Sequence, residues 1–153
     1  MSDIVSVHTR LSPASSGAID KVRRFTEILQ QLPQVPFVTE HLLHAGMYTR
    51  TVRLPAGTAA AAVLIKVPTV LIFQGEAKVY SDDEVIYVSG YSVLPGSKGR
   101  KIAFVTLSDV AMSMLFPTTL KTVDEAQRAF TDEHELLVPL SRVDEHVTLI
   151  TGE

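Results

Sequence analysis

Apolar positions along this chain follow three successive periods. In GAIDKVRRFTEILQQL, residues 17 to 32, Ile19, Val22, Phe25, Leu29 and Leu32 recur at spacings of three and four. That spacing puts them on one stripe of an α-helix. Ser16 stands where its side chain can cap the first turn. Pro33 ends the helix, because it has no N–H to donate and its ring clashes with the preceding turn.

From about Phe37 to Phe116 the period shortens to two. Runs such as GMYTRTVRL, AVLIKV, TVLIF, EAKVY, EVIYV, YSVL, KIAFVTL and AMSMLF are separated by turn markers. The markers include Pro55-Ala56-Gly57, Gly75-Glu76, Ser89-Gly90, Pro95-Gly96 and Ser108-Asp109. Short, evenly punctuated strands predict an antiparallel sandwich or small barrel. Asp82 and Asp83 supply the turn of a hairpin in VYSDDEVIYV. Met112, Met114 and Phe116 point to one side of their strand and are expected to fill the core.

The helical period then returns in TVDEAQRAFTDE. Thr122 and Glu125 have capping-box spacing, and Val123, Ala126 and Phe130 can face the sheet. The tail ELLVPLSRVDEHVTLI carries two apolar runs, expected as edge strands or as arms on a second subunit. Pro139 disfavours a central strand there. The predicted organisation is a flexible arm over residues 1–16, one domain with flanking helices over 17–133, and a C-terminal extension over 134–153.

Composition narrows the class. The chain has 153 residues, 46% of them hydrophobic, which suits one globular domain with its own core. Its net charge is -3 with no basic run, which argues against a nucleic-acid partner. It has no cysteine, so disulfides and thiolate chemistry are excluded. MSDIVSVHTR lacks an apolar signal core, and the apolar stretch from Ala59 to Phe73 is broken by Lys66 and Pro68. A cytoplasmic protein without a membrane partner is expected. No nucleophile elbow, phosphate loop or HExxH motif occurs.

Pro55-Ala56-Gly57-Thr58, an apolar strand and then VLIFQGEAKVY follow one another in an order that resembles a cupin (RmlC-like jelly roll). Gly57 looks like the first glycine of that family's first motif and Gly75 like its last. Gly90-Tyr91-Ser92-Val93-Leu94-Pro95 looks like the strand entering the second motif. The resemblance covers about residues 40 to 117. With HAGMYTRTVRLPAGT and GRKIAFV, it is similar to small single-domain cupins of phage and bacterial genomes, mostly of unassigned activity. It implies a mainly β, antiparallel jelly-roll barrel with an N-terminal helix and a short C-terminal helix, paired as a homodimer.

Cupin enzymes hold a divalent ion with three histidines and a glutamate, ligands that suit Mn, Fe, Ni or Zn. Here the first-motif ligand positions fall in Ala61 to Thr69, AAVLIKVPT, which has neither His nor Glu. The second motif asks for a histidine and then an asparagine. The chain has no histidine between His44 and His134 and no asparagine at all, and Arg100-Lys101 stands near the expected histidine. The resemblance therefore implies a degenerate, metal-free cupin with no cofactor and no catalytic residue. It would act as a non-enzymatic small-molecule-binding, structural or phage-associated accessory protein.

Four residues are ligand-pocket candidates. His44, Tyr48 and Arg50 alternate with Val52 onto what reads as one strand face. If that face points inward, Arg50 can pair a carboxylate or phosphate bidentately; if outward, it sits in water. Arg100, with Lys101 beside it, either donates to an anion at the barrel mouth or solvates a loop. A small anionic or apolar ligand is the expected partner. Lys66, alone in an apolar run, reads as an edge-strand lysine or as an amine of lowered pKa. The alternative function is a metal-dependent enzyme with a displaced site on His41 and His44, supplemented by Glu40 or His134. Residues three apart on a strand face opposite sides, which weighs against it.

Overall fold

The computed structural model describes residues 10–82, 84–137 and 145–153. Its elements run in the order α1 (Ser16–Gln30), β1 (Val38–His44), β2 (Met47–Leu54), β3 (Ala59–Ala61), β4 (Thr69–Gln74), β5 (Ala77–Ser81), β6 (Glu84–Val88), β7 (Tyr91–Gly96), β8 (Ile102–Thr106) and β9 (Val110–Pro117). After these come α2 (Val123–Phe130), a 3-10 turn (His134–Leu137) and β10 (Glu145–Ile150). Six strands pair in the order β10-β1-β2-β9-β4-β7, and four in the order β3-β8-β5-β6. The two sheets share a core: Phe73 of the larger meets Phe104 of the smaller edge to face, ring centroids 6.1 Å apart. This is a double-sheet jelly roll, with one helix before the strands and one after β9.

The local signals act where the sequence puts them, with three corrections. Ser15, rather than Ser16, caps α1: its hydroxyl accepts the Ala18 N–H at 3.1 Å. AVLIKV does not form a strand beyond β3; residues 62–68 are irregular apart from a bridge between Ile65 and Arg100. Pro68 and the packing of this stretch under α2 and the 3-10 turn override its β-rich composition. The Thr122–Glu125 pair is not the reciprocal cap that its spacing suggests. The Thr122 hydroxyl accepts the Glu125 N–H and donates to the Glu125 carboxylate, 3.2 and 2.8 Å. The second apolar run of the tail becomes β10, which lies parallel to β1, the one parallel pairing between the named strands.

Residues 1–9 of the expected arm and residues 138–144, with Pro139, lie outside the described residues. The arm's end is held. Leu11 is fully buried in the core between the sheets and exchanges backbone hydrogen bonds with Pro95 and Ser97. At Gly75, φ is +120°, and a Cβ there would lie 2.4 Å from the Asp109 carbonyl oxygen. No L side chain fits that turn, which explains the glycine in FQGEA.

Candidate functional site

The jelly roll encloses a cavity of about 490 Å³, open on the side covered by the end of α1 and the segment that follows it. Strand pairing fixes the rows of the inner face, of which Arg50, Val52, Leu71, Met112 and Met114 line the cavity. Arg50 on β2 pairs with Met114 on β9, Met114 with Leu71 on β4, and Leu71 with Leu94 on β7. One row toward the α2 side come Tyr48 with Phe116, and Thr69 with Gly96. One row the other way come Val52, Met112 and Phe73. The small sheet contributes Ile102 and Phe104, and Phe37 and Leu54 line the far end.

Two guanidiniums stand in this apolar wall. Arg100 is 2% exposed. Its side chain lies over Gly96, where a Cβ would come within 2.8 Å of the guanidinium carbon and of Thr69 Oγ1. Its hydrogen bond to the protein runs from Nη1 to the Ser97 carbonyl, at 3.3 Å. Burial pulls its pKa down to about 10, so it is still charged at neutral pH, at a cost in desolvation. Arg50 sits one row along. Its Nη1 is buried and has no hydrogen-bond partner. Among the described residues neither arginine has a carboxylate partner. Thr69 Oγ1, beside Arg100, is a buried hydroxyl that is likewise unsatisfied. The two guanidiniums therefore stand together in the wall of a chamber whose other lining side chains are apolar apart from Thr26, Gln30, Gln34 and Thr58, with Thr69 beside Arg100 but outside the lining.

The other candidates fall elsewhere. Tyr48 is fully buried in a second cluster with Phe116 and Phe130 rather than in the cavity wall. Its oxygen lies 2.8 Å from His41 Nδ1. Burial raises its pKa above the usual value, partly offset by the charge and hydrogen bonding of the neighbouring Arg50. His44 is exposed at the end of β1, 2.7 Å from Thr151 Oγ1, and does not reach the cavity. The alternation that joins His44 to Tyr48 and Arg50 in the sequence is interrupted in the structure. Ala45 and Gly46, at φ 53° and 70°, form a two-residue hairpin turn, and His44 pairs with Met47 on the outer face. His41 and His44 face opposite sides of β1, one buried and one exposed, and His134 is engaged by Arg128 Nη1 at 3.1 Å. The structure does not bring the three histidines together. Glu40 pairs outside with Arg53 at 2.6 Å.

A divalent ion needs imidazole or carboxylate donors. The cavity wall supplies two guanidiniums and, among the described residues, no His, Asp or Glu. This donor set does not fit a cation; it fits an anion.

Lys66 and Lys101 also differ from their sequence readings. Lys66 lies in the irregular stretch before β4 and pairs with Asp132 at 2.6 Å, both largely exposed. Lys101 solvates no loop. Its side chain is fully buried and donates to Glu133 Oε1 at 2.7 Å and to the Ala62 carbonyl at 3.1 Å. Glu133 also accepts the Leu64 N–H at 2.6 Å and lies 3.4 Å from Arg23. This cluster ties α1, the irregular stretch 62–68 and the segment after α2 to the barrel end that holds Arg100. Nothing in the local sequence announces Glu133, because its partners come from distant parts of the chain.

No protein-family model matches the chain, and no curated protein sequence matches it. Solved structures similar to it include cupins. One is a cupin superfamily protein from Desulfitobacterium hafniense, 17% identical over 57% of this chain and 83% of that one, with a TM-score of 0.48. Another is an RmlC-like cupin with a double-stranded β-helix fold from Methanocaldococcus jannaschii, 13% identical over 57% and 85%, with a TM-score of 0.44. A third is the cupin domain of an XRE family transcriptional regulator from Enterobacter cloacae, 14% identical over 54% and 99%, with a TM-score of 0.44. The likeness concerns the fold.

Proposed function

We propose that this jelly roll is a metal-free, non-enzymatic module that binds a small organic anion inside the barrel. The observation that carries the reading is the pair Arg50 and Arg100, placed in an apolar cavity without a carboxylate partner. Burying an unpaired charge is unfavourable unless something meets it. An oxyanion meets it with charge-assisted hydrogen bonds, and the planar guanidinium fork suits carboxylate or phosphate oxygens. A volume of about 490 Å³ lies within the range of sites that hold whole small molecules, roughly 300–1,000 Å³. No nucleophile or general base faces the chamber among its lining residues, which supports binding over turnover.

A homodimer and a phage-associated accessory role belong to the same proposal. The edge strand β10, with exposed Val147 and Leu149, supports the first; the second rests on resemblance alone.

The test is a thermal-unfolding screen against a panel of organic acids, beside elemental analysis of the purified protein. A binding acid at a hundred times its Kd raises the unfolding free energy by about 2.7 kcal/mol. Arg50→Met is expected to weaken that acid about tenfold to a hundredfold, as loss of a charge-assisted hydrogen bond does. Stoichiometric Mn, Fe, Ni or Zn that survives dialysis contradicts the proposal, and so does an acid that binds Arg50→Met as tightly as the native chain.

A further inference from the structure

The cavity is polarised along its length. We infer that its ligand is an amphiphile: one oxyanion head held by Arg50 and Arg100, and an unbranched or slender apolar body running toward α1. This inference rests on the anion-binding reading above and goes further by fixing the body and its orientation.

Three observations carry it. First, the charged groups are confined to one end. Arg100 lies over the Gly96–Thr69 row and Arg50 in the next row; of the three buried side-chain polar atoms without a partner among the described residues, Arg50 Nη1 and Thr69 Oγ1 belong to these rows, and the third, Thr39 Oγ1, lies outside the cavity lining. Second, the chamber between the arginines and the α1 side is mostly apolar, with Thr58 the one polar side chain of its barrel wall and Thr26, Gln30 and Gln34 contributed by α1 and the segment after it. Met112, Val52, Phe104 and Leu54 form the middle and far wall, and Ala60 and Ala62 leave room along the edge of the small sheet. A ligand polar along its whole length, such as a sugar acid or a dicarboxylate, would bury polar groups against that wall without partners. Third, large apolar side chains stand at the opening beside Gln30 and Gln34. Leu29, Leu32, Val35 and Phe37 of α1 and its following segment flank it, with Leu136 and Leu137 of the 3-10 turn. Leu32 and Val35 are 52% and 40% exposed, although they point toward a cavity. A tail reaching the opening would cover them. The two methionines at the centre, Met112 and Met114, are unbranched and adjust to a flexible chain more readily than branched side chains do.

Two head groups share this chemistry, a carboxylate and a phosphate monoester, and paired probes separate them. The experiment is calorimetric titration of the full chain with acetate, butanoate, octanoate, octyl phosphate, 1-octanol and inorganic phosphate, repeated on Arg50→Met. Affinity is expected to rise by roughly fourfold per added methylene from acetate to octanoate, the transfer gain of one buried CH₂. Octanoate or octyl phosphate should exceed 1-octanol at least tenfold, and whichever is tighter names the head. Arg50→Met should remove most of that preference while 1-octanol binding persists, which shows that the variant is folded. If acetate or inorganic phosphate binds as tightly as octanoate, the amphiphile inference falls and the anion site stands. If 1-octanol matches both eight-carbon anions and Arg50→Met changes nothing, the anion reading falls with it. If no probe binds, both fall.

Discussion

Replacing Glu133 by alanine is expected to lower the free energy of unfolding by about 3 kcal/mol, the low end of the cost of removing one partner of a buried ion pair. The reason is what the substitution strands. The Lys101 side chain is fully buried, and Glu133 is the carboxylate that meets its charge, while Glu133 itself keeps 15% of its side chain exposed. The Leu64 N–H loses its acceptor as well. Denaturant unfolding measures the loss. Adding Lys101→Met to Glu133→Ala should recover much of it, since an apolar side chain of similar length leaves no charge behind; a double variant as weak as the single one would contradict this account. The same group sets an acid limit. Burial alone would raise the Glu133 pKa, but hydrogen bonds from Lys101 and the Leu64 N–H, with the charges of Lys101 and Arg23, outweigh it and hold the pKa below its ordinary value of 4.5. A carboxylate depressed in the folded state stabilises the fold above its unfolded pKa, and that contribution drains away as pH falls through the folded value. The native chain should therefore lose stability below about pH 4.5, and Glu133→Gln should show a shallower acid slope.

Arg100→Met is expected to act in the opposite direction, stabilising the ligand-free protein by about 1–3 kcal/mol while weakening anion binding at least tenfold. A guanidinium whose pKa burial pulls down to about 10 is less stable in the fold than in water by roughly 3 kcal/mol, an upper bound for what methionine can recover. The sign follows from the cation. Its folded pKa lies below its unfolded one, so the penalty is fully present below about pH 10 and fades as pH rises from there. A residue that costs stability and improves it when replaced is retained for something other than folding. Unfolding curves of the two proteins at neutral pH, without ligand, decide the matter. If Arg100→Met is less stable, the arginine is a packing element over Gly96 and its bond to Ser97 is what counts.

The barrel was legible because its signals are local and repeated. Alternating runs between Gly, Pro and Asp turns are read one strand at a time, and Gly75 carries its own steric reason. The site was legible in part. Arg50, Val52 and Leu54 face inward because parity within one strand is reliable. The sequence pattern groups His44 with Tyr48, Arg50 and Val52, but the Ala45–Gly46 turn stands between, where the chain reverses and parity no longer carries over. Tyr48 shares the inward face but ends among aromatic rings, because what stands opposite a residue is set by a distant segment, here Phe116 and Phe130. Arg100 and Lys101 read as a solvated loop pair because adjacent charges usually are. They are buried since β8 begins beneath the 62–68 stretch, with Ile65 bridging Arg100 and Ala62 receiving Lys101. The Lys101–Glu133 pairing spans 32 residues and left no local trace.

The most direct test of the anion site is a crystal structure of the octanoate complex. It should show one carboxylate with oxygens about 2.7–2.9 Å from guanidinium nitrogens of Arg50 and Arg100, and the chain lying along Met112 toward Leu29 and Phe37. A head group at the opening beside Gln30 and Gln34, with the tail packed on the two arginines, would contradict it.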